Sequence, residues 1–93
     1  MEQIFKNIAL ERAAEIAFDS LKENSRHEIE SSLNKVLDDS LEKNYIPMPV
    51  EGDSRNYFIM NVGKYKIIFE REPDLVHVHA IISGNFGKNK AVN

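Results

Sequence analysis

Cysteine and tryptophan are absent from the 93-residue sequence, which also contains only four glycines and three prolines. Without cysteine the chain can form neither a disulfide framework nor a thiolate metal site, a composition that is compatible with the reducing cytoplasm. No window approaches the roughly 20 apolar residues of a membrane span, and residues 1–18 lack the basic start and unbroken apolar run of a secretory signal. We therefore expect a cytoplasmic protein that has no membrane partner.

The net charge of −3 is distributed unevenly along the chain. Residues 1–54 carry six Lys and Arg against twelve Asp and Glu, whereas residues 55–93 carry six against three. The acidic average argues against a protein that binds nucleic acid over its whole surface. If an anionic partner is bound, we expect the C-terminal half to bind it.

The N-terminal half contains two segments in which apolar residues recur at helical spacing. Residues 9–23 are predicted to form the first amphipathic helix. Ser25 and Glu28 stand at the spacing of a capping box, so the second helix should begin near Arg26 and end near Lys43. The short link between the two helices predicts an antiparallel helical hairpin.

The C-terminal half is rich in β-branched and aromatic residues that are separated by turn residues. Residues 56–62, 65–71 and 75–82 are predicted to form three strands joined by short turns, which together make an antiparallel meander. Residues 45–54 contain two prolines and turn-forming residues, and they are predicted to break the helical pattern before the first strand of the meander.

Alternation along the strands predicts which side chains face the helices. The face of the last strand that should pack on the helices consists of Val76, Val78, Ala80 and Ile82. The opposite face of that strand carries His77, His79 and Ile81. The inward residues of the middle strand should be Tyr65, Ile67 and Phe69. The residues expected on the same face as the histidines are Lys66, Ile68 and Glu70.

These patterns predict an α+β fold with one domain over residues 1–93. An N-terminal helical hairpin would pack on a C-terminal antiparallel sheet of three to four strands. Residues 2–8 are either a short strand at the sheet edge or the frayed first turns of the first helix, and we favour the strand. A chain of this length with 42% hydrophobic residues can bury one core but has no room for a second domain.

From Asn56 to Gly84 a tyrosine, a basic residue, two aliphatic residues and an aromatic residue follow a glycine turn. Together with the helical hairpin before it, this stretch resembles the RelE/ParE superfamily of bacterial toxins. The resemblance implies the toxin component of a type II toxin–antitoxin module, which a cognate antitoxin chain wraps. It also implies one of two activities: RelE-like members enter the ribosomal A site and cleave the mRNA, whereas ParE-like members inhibit DNA gyrase.

Lys66 matches the arginine that the resemblance places in the middle strand. RNA cleavage by the 2′-hydroxyl needs a base, a cation at the phosphate and an acid at the leaving oxygen, and Lys66 would supply the cation. Phe58 and Met60 stand where the family has lysines, and Phe86 stands near the place of an arginine. No tyrosine follows Tyr65, so the C-terminal catalytic tyrosine of many members is missing. The RelE-type site is therefore largely absent.

Two interpretations of this incomplete match stay open. Either Lys66, His79 and Lys88 form a substitute catalytic site, or the protein is not a nuclease. In the first case the ribosome and its mRNA are the partners, and basic side chains of the C-terminal half contact the RNA. The predicted RNA-binding residues are Lys64, Arg71, His77 and Lys90. Ordinary solvated lysines, which also discourage edge pairing of the sheet, are the alternative explanation.

His77 and His79 are two residues apart on a predicted strand, so both imidazoles should project from the same side. They are either half-exposed structural side chains, acid–base or RNA-contacting groups, or metal ligands. A metal would need a third ligand, for which Glu70 on the neighbouring strand is the candidate. We favour the structural interpretation and assign neither a metal nor a cofactor.

Phe58, Met60 and Ile68 are predicted to form an apolar patch on the open face of the sheet, and Phe86 is a further candidate for partner binding. Exposed apolar patches usually mark a binding site for a partner. This patch fits a protein better than a phosphate. Our first hypothesis is a RelE-like toxin that inhibits translation by ribosome-dependent cleavage of mRNA. The second is a ParE-like gyrase inhibitor or a catalytically degenerate interaction protein, which is indicated by Phe58, Met60 and Phe86 where charged residues are expected and by the acidic first half of the chain. An unrelated small α+β domain is the third hypothesis.

Overall fold

The computed structural model describes residues 2–5, 7–37 and 45–83 of the chain. Within them the order of elements is a two-stranded hairpin, two helices, an edge strand and a three-stranded meander. The elements are β1 (Glu2–Phe5), β2 (Ile8–Leu10), α1 (Arg12–Asp19), α2 (Glu23–Val36), β3 (Tyr45–Pro47), β4 (Tyr57–Val62), β5 (Tyr65–Glu72) and β6 (Leu75–Ser83). The predicted α+β class is confirmed.

The strands form one six-stranded sheet in the order β1-β2-β6-β5-β4-β3. β4, β5 and β6 are the expected antiparallel meander. β2 pairs with β6 in parallel, which is possible because the helices and the rest of the chain return between them. The sheet is thus larger than the expected three to four strands, and it is mixed rather than purely antiparallel.

The additional strands are short and show no alternation in the sequence. All three residues of β2 are buried, and three consecutive apolar residues fit a helix as well as a strand. β3 contains Pro47, which has no backbone N–H group to donate. β3 lies at the edge of the sheet, where the missing donor does not interrupt pairing with a further strand. The strand favoured for the N-terminal residues is confirmed, since β1 and β2 form an antiparallel hairpin.

Helix α1 begins at Arg12 and not at residue 9, because Ile8–Leu10 belong to β2. Glu11 is the N-cap residue of α1 and has extended backbone angles. Its backbone N–H donates to the carbonyl oxygen of Val78 at 2.9 Å, which ties the start of the helix to β6. The first helix is therefore shorter than predicted and is attached directly to the sheet.

Helix α2 begins at Glu23 rather than near Arg26. Its N-cap residue is Lys22, and no side chain caps the helix, so the predicted capping box is wrong. Ser25 lies inside the first turn of the helix, where it matches the sequence spacing of a cap without having the extended backbone that a cap needs. The predicted end near Lys43 lies outside the described residues.

The two helices cover one face of the sheet, and the hydrophobic core lies between them and the strands. The buried core side chains of the sheet are Ile8, Leu10, Met60, Val62, Ile67, Phe69, Val76, Val78 and Ile81. The helices contribute Ala14, Phe18, Ile29, Leu33 and Val36. The inward positions predicted for the middle strand agree with this core, because Ile67 and Phe69 are fully buried and Tyr65 packs against it. Among the described helices, none is long and apolar enough to cross a membrane.

A β-bulge in β6 changes the face on which its last residues lie. Ile68 pairs with Ala80 while Phe69 pairs with Val78, so His79 is an additional residue in β6. An extra residue shifts the alternation of every residue after it. Ile81 is consequently buried and Ile82 is 38% exposed, the reverse of the prediction for the end of this strand. Ala80 likewise lies opposite Ile68 instead of facing the helices.

Candidate functional site

The side of the sheet opposite α1 and α2, which we call the open face, carries a line of aliphatic side chains. Four residues paired in register across four strands form this aliphatic row: Ile46, Ile59, Ile68 and Ala80. Neighbouring strands are about 4.8 Å apart, so the row extends over roughly 14 Å. Ile46 is 64% exposed, the largest exposure among the large hydrophobic side chains of the described residues.

A polar group of side chains lies on the open face next to the aliphatic row, toward β2. It consists of Glu11, Glu70, His77 and His79, which we call the His–Glu cluster. His77 and His79 stack with their ring centroids 4.6 Å apart. The two histidines share this face because they are two residues apart in β6, and the bulge adds Ala80 to the same face.

Each histidine of the cluster is hydrogen-bonded to a carboxylate. His77 Nε2 lies 2.6 Å from Glu11 Oε2, and His79 Nε2 lies 2.8 Å from Glu70 Oε1. Glu70 Oε1 also lies 3.9 Å from His77 Nδ1, so this carboxylate contacts both rings. An ionised carboxylate can only accept, so each of these bonds, when made to an ionised carboxylate, is donated by the Nε2 atom of the histidine. The arrangement can hold and exchange protons, and its nitrogen and oxygen atoms are of the kind that bind metal ions.

Asp53, Arg55 and Tyr57 form a second polar group that adjoins the His–Glu cluster. Asp53 accepts hydrogen bonds from Arg55 Nη2 at 2.8 Å and from the Tyr57 hydroxyl at 2.9 Å. The hydrogen bond from Arg55 is the main reason why the pKa of Asp53 lies well below its ordinary value. Desolvation raises the pKa of Tyr57, and the hydrogen bond to Asp53 raises it further. The ring of Tyr57 meets His79 edge-on at 5.1 Å between centroids, which links the two groups.

The predicted catalytic residues are not brought together. Lys66 and His79 both lie on the open face, but the aliphatic row separates them, because Ile68 stands between Lys66 and the cluster residue Glu70 along β5. Lys66 and Glu70 are four residues apart on that strand, a separation of about 13 Å. Lys66 Nζ donates to Asn61 Oδ1 at 2.8 Å. Lys88 lies outside the described residues.

The predicted RNA-binding residues are dispersed as well. Lys64 lies in the turn between β4 and β5, and Arg71 lies seven residues further along, about 23 Å away. Arg71 pairs with the buried Val76 and so projects from the helix-covered side of the sheet. His77 belongs to the His–Glu cluster, and Lys90 lies outside the described residues. No continuous basic surface is formed by the members of this set that the structure describes.

The predicted apolar patch is placed correctly for Ile68 and wrongly for the other described members. Met60 is only 1% exposed and belongs to the core, and Phe58 packs edge-on against Tyr45 at 5.2 Å. Phe58 pairs with the buried Phe69, which puts the two on the helix-covered side. Phe86 lies outside the described residues. The open face of β4 instead carries Ile59, opposite Ile68.

The sequence contains a signal that determines which residues of β4 face the helices. Gly63 has a positive φ of 60° and forms a two-residue turn with Lys64, so Val62 pairs with Tyr65. Counting back from that pair sets Met60 opposite Ile67, whose inward position follows from the alternation of β5. No such signal places Glu11 in the His–Glu cluster, because Glu11 follows β2, whose parallel pairing with β6 joins segments that are distant in sequence.

Comparison with known proteins gives no independent assignment. No model of a known protein family matches the chain, and a search of curated proteins finds no match.

Proposed function

We propose that this chain is a cytoplasmic toxin of the RelE/ParE kind that acts by binding another protein through the open face of its sheet. The described order of N-terminal strands, two helices, an edge strand and a three-stranded meander supports the toxin fold that the sequence resembles. The cognate antitoxin would be one partner. The cellular target would be a second protein, DNA gyrase being the one that the ParE-like resemblance implies.

The observation that carries this proposal is the exposed aliphatic row. Its isoleucines lie outside the core cluster of the described residues, and Ile46 and Ile82 at its margins are 64% and 38% exposed. Ile59 and Ile68 at its centre are partly exposed, and a contiguous apolar patch of this kind is typical of a surface that is covered by a partner. Polar side chains border it, with Lys66 on one side and the His–Glu cluster on the other.

The geometry of the row fits an amphipathic helix of the partner. Side chains three and four residues apart on a helix are about 5–6 Å apart, close to the 4.8 Å between strands. A helix lying along the row would place successive apolar residues against Ile46, Ile59 and Ile68. The carboxylates of Glu11, Glu70 and Asp53 border one side of the aliphatic row. The Arg55 guanidinium lies beside Glu70 on that side. We therefore expect basic residues on that flank of the partner helix and an acidic residue near Lys66.

The arrangement of charges argues against cleavage of RNA as the main activity. A phosphate-cleaving site needs a cation and acid–base groups that converge on one phosphate. Here Lys66 and His79 stand on opposite sides of the aliphatic row, and carboxylates accept the hydrogen bonds of both imidazoles. Carboxylates beside a phosphate would repel it.

RelE-like cleavage of mRNA on the ribosome is the second candidate function. It is favoured by the presence of Tyr57, His79 and Lys66 on one face, since tyrosine, histidine and lysine can each serve in acid–base or charge-stabilising roles. In this case the ribosome would have to bring the mRNA across the row.

The experiment that separates the two candidates is inducible expression in a bacterium with mapping of mRNA 5′ ends by primer extension. Wild type, Lys66→Ala and His79→Ala should all arrest growth and leave the messages intact. New 5′ ends that appear with the wild type and vanish with either variant would establish the nuclease instead. If the wild type has no effect on growth, the toxin proposal itself fails.

A further inference from the structure

We propose that Glu11, His77 and His79 form a binding site for a divalent transition-metal ion of the zinc type. One ligand atom from each residue lies within 4.8 Å of the others. Ligand atoms around tetrahedral zinc, with bonds of about 2.0–2.1 Å, are roughly 3.3 Å apart. The ligand atoms therefore need to shift by about 1.5 Å at most, and the hydrogen bond between His77 Nε2 and Glu11 Oε2 at 2.6 Å would be replaced by bonds to the ion.

The backbone around the three ligands is well fixed. His77 and His79 belong to β6, which is paired on both sides by β2 and β5. Glu11 is held beside them, because its backbone N–H bonds to Val78, the residue between the two histidines. Two ligands thus come from the sheet and the third from the residue that links β2 to α1, whose backbone is bonded to β6, so little ordering is needed when an ion binds.

The kinds of ligand select the class of ion. Two imidazoles and one carboxylate suit zinc and the neighbouring first-row transition metals, whereas magnesium and calcium prefer oxygen ligands alone. The side chains of His77 and His79 are 16% and 21% exposed, and that of Glu11 is 41% exposed. The ion would be shielded on the sheet side and would keep a position open toward solvent for water or for a ligand from a partner.

Glu70 would serve as the carboxylate that orients the ligands. Its Oε1 atom accepts from His79 Nε2 at 2.8 Å and lies 3.9 Å from His77 Nδ1. Carboxylates that hold the second ring nitrogen of a metal-binding histidine are a recurrent part of such sites. Glu70 therefore leaves one nitrogen of His79 for the ion and fixes the orientation of the ring.

None of the proposed metal ligands belongs to the aliphatic row, although Glu11 also borders the flank that the partner helix would contact, so the metal site is tested without a partner. The competing explanation is that the two His–Glu hydrogen bonds serve the fold alone. The two explanations differ in whether the cluster binds an ion when one is offered.

Isothermal titration calorimetry of the tag-free, full-length chain with zinc chloride tests the site. After treatment with a chelator and dialysis, the wild type should bind one zinc ion per chain at about pH 7.5. Glu11→Gln and His79→Gln should each weaken zinc binding at least about tenfold.

The chain offers a matched control, because its third histidine, His27, lies in α2 away from the cluster. His27→Gln should bind zinc like the wild type. The site is overturned if the wild type binds no zinc, if the stoichiometry is not one, or if the cluster variants bind as the wild type does. Circular dichroism of each variant shows whether it is folded. Growth is not measured, so failure of this test leaves the toxin proposal unaffected, and the converse also holds.

Discussion

Ile59 lies directly opposite Ile68 across the β4–β5 ladder, on the side of the sheet that the helices do not cover. In the next register pair, Met60 and Ile67 are both buried against the helices. The two faces of the same hairpin are therefore both aliphatic at their centre, although only one of them contributes to the core. Burial of the core face accounts for folding, whereas the open face needs another explanation, which binding of a partner provides.

The difference between the two faces predicts different effects on stability. Ile67 is fully buried, so Ile67→Ala should lower the free energy of unfolding by about 2–5 kcal/mol through lost burial and the cavity that remains. Ile46 is 64% exposed, so Ile46→Ala should change it by less than about 0.5 kcal/mol. Urea denaturation followed by circular dichroism measures both. Comparable losses would mean that the aliphatic row is packed within the folded chain.

The Asp53–Arg55 pair predicts a pH-dependent contribution to stability. The hydrogen bond from Arg55 lowers the folded-state pKa of Asp53 below its ordinary value of 3.8. A lowered pKa stabilises the fold above the unfolded-state pKa, and this contribution is lost as the pH falls through and below that value. Asp53→Asn should therefore melt at a slightly lower temperature than the wild type near neutral pH, the effect being small because the Arg55 side chain is 57% exposed.

Thermal melts of the wild type and Asp53→Asn from about pH 7 to about pH 2 test this dependence, since the difference should shrink once the pH is below about 4. A difference that stays constant over the whole range would show that the substitution acts through packing and not through charge.

Several parts of the fold follow from sequence alone, and others do not. The strands of the meander are long and flanked by turns, so their existence could be predicted. β2 has only three residues, and its pairing with β6 depends on contacts that are distant in sequence. The bulge at His79 also leaves no signal, because Ala80, Ile81 and Ile82 are all apolar and fit either phase of the strand.

Only part of the candidate site could likewise be predicted from the sequence. The shared face of Glu70 and the two histidines follows from alternation and was predicted. Glu11 could not be assigned to it, since its position depends on the parallel pairing of β2. Ile46 precedes a proline in a segment that was predicted to contain only a break and a turn, so its place in the aliphatic row also required the structure.

The central claim, that the aliphatic row is the surface through which the protein acts, is tested most directly by comparing growth arrest by Ile46→Glu and Ile16→Glu. Both isoleucines are exposed, at 64% and 58%, so neither change should unfold the protein, and melting temperatures verify this. Ile46 belongs to the row, whereas Ile16 lies on α1. We predict that Ile46→Glu loses the ability to arrest growth while Ile16→Glu retains it. A folded Ile46→Glu variant that arrests growth as strongly as the wild type would contradict the claim.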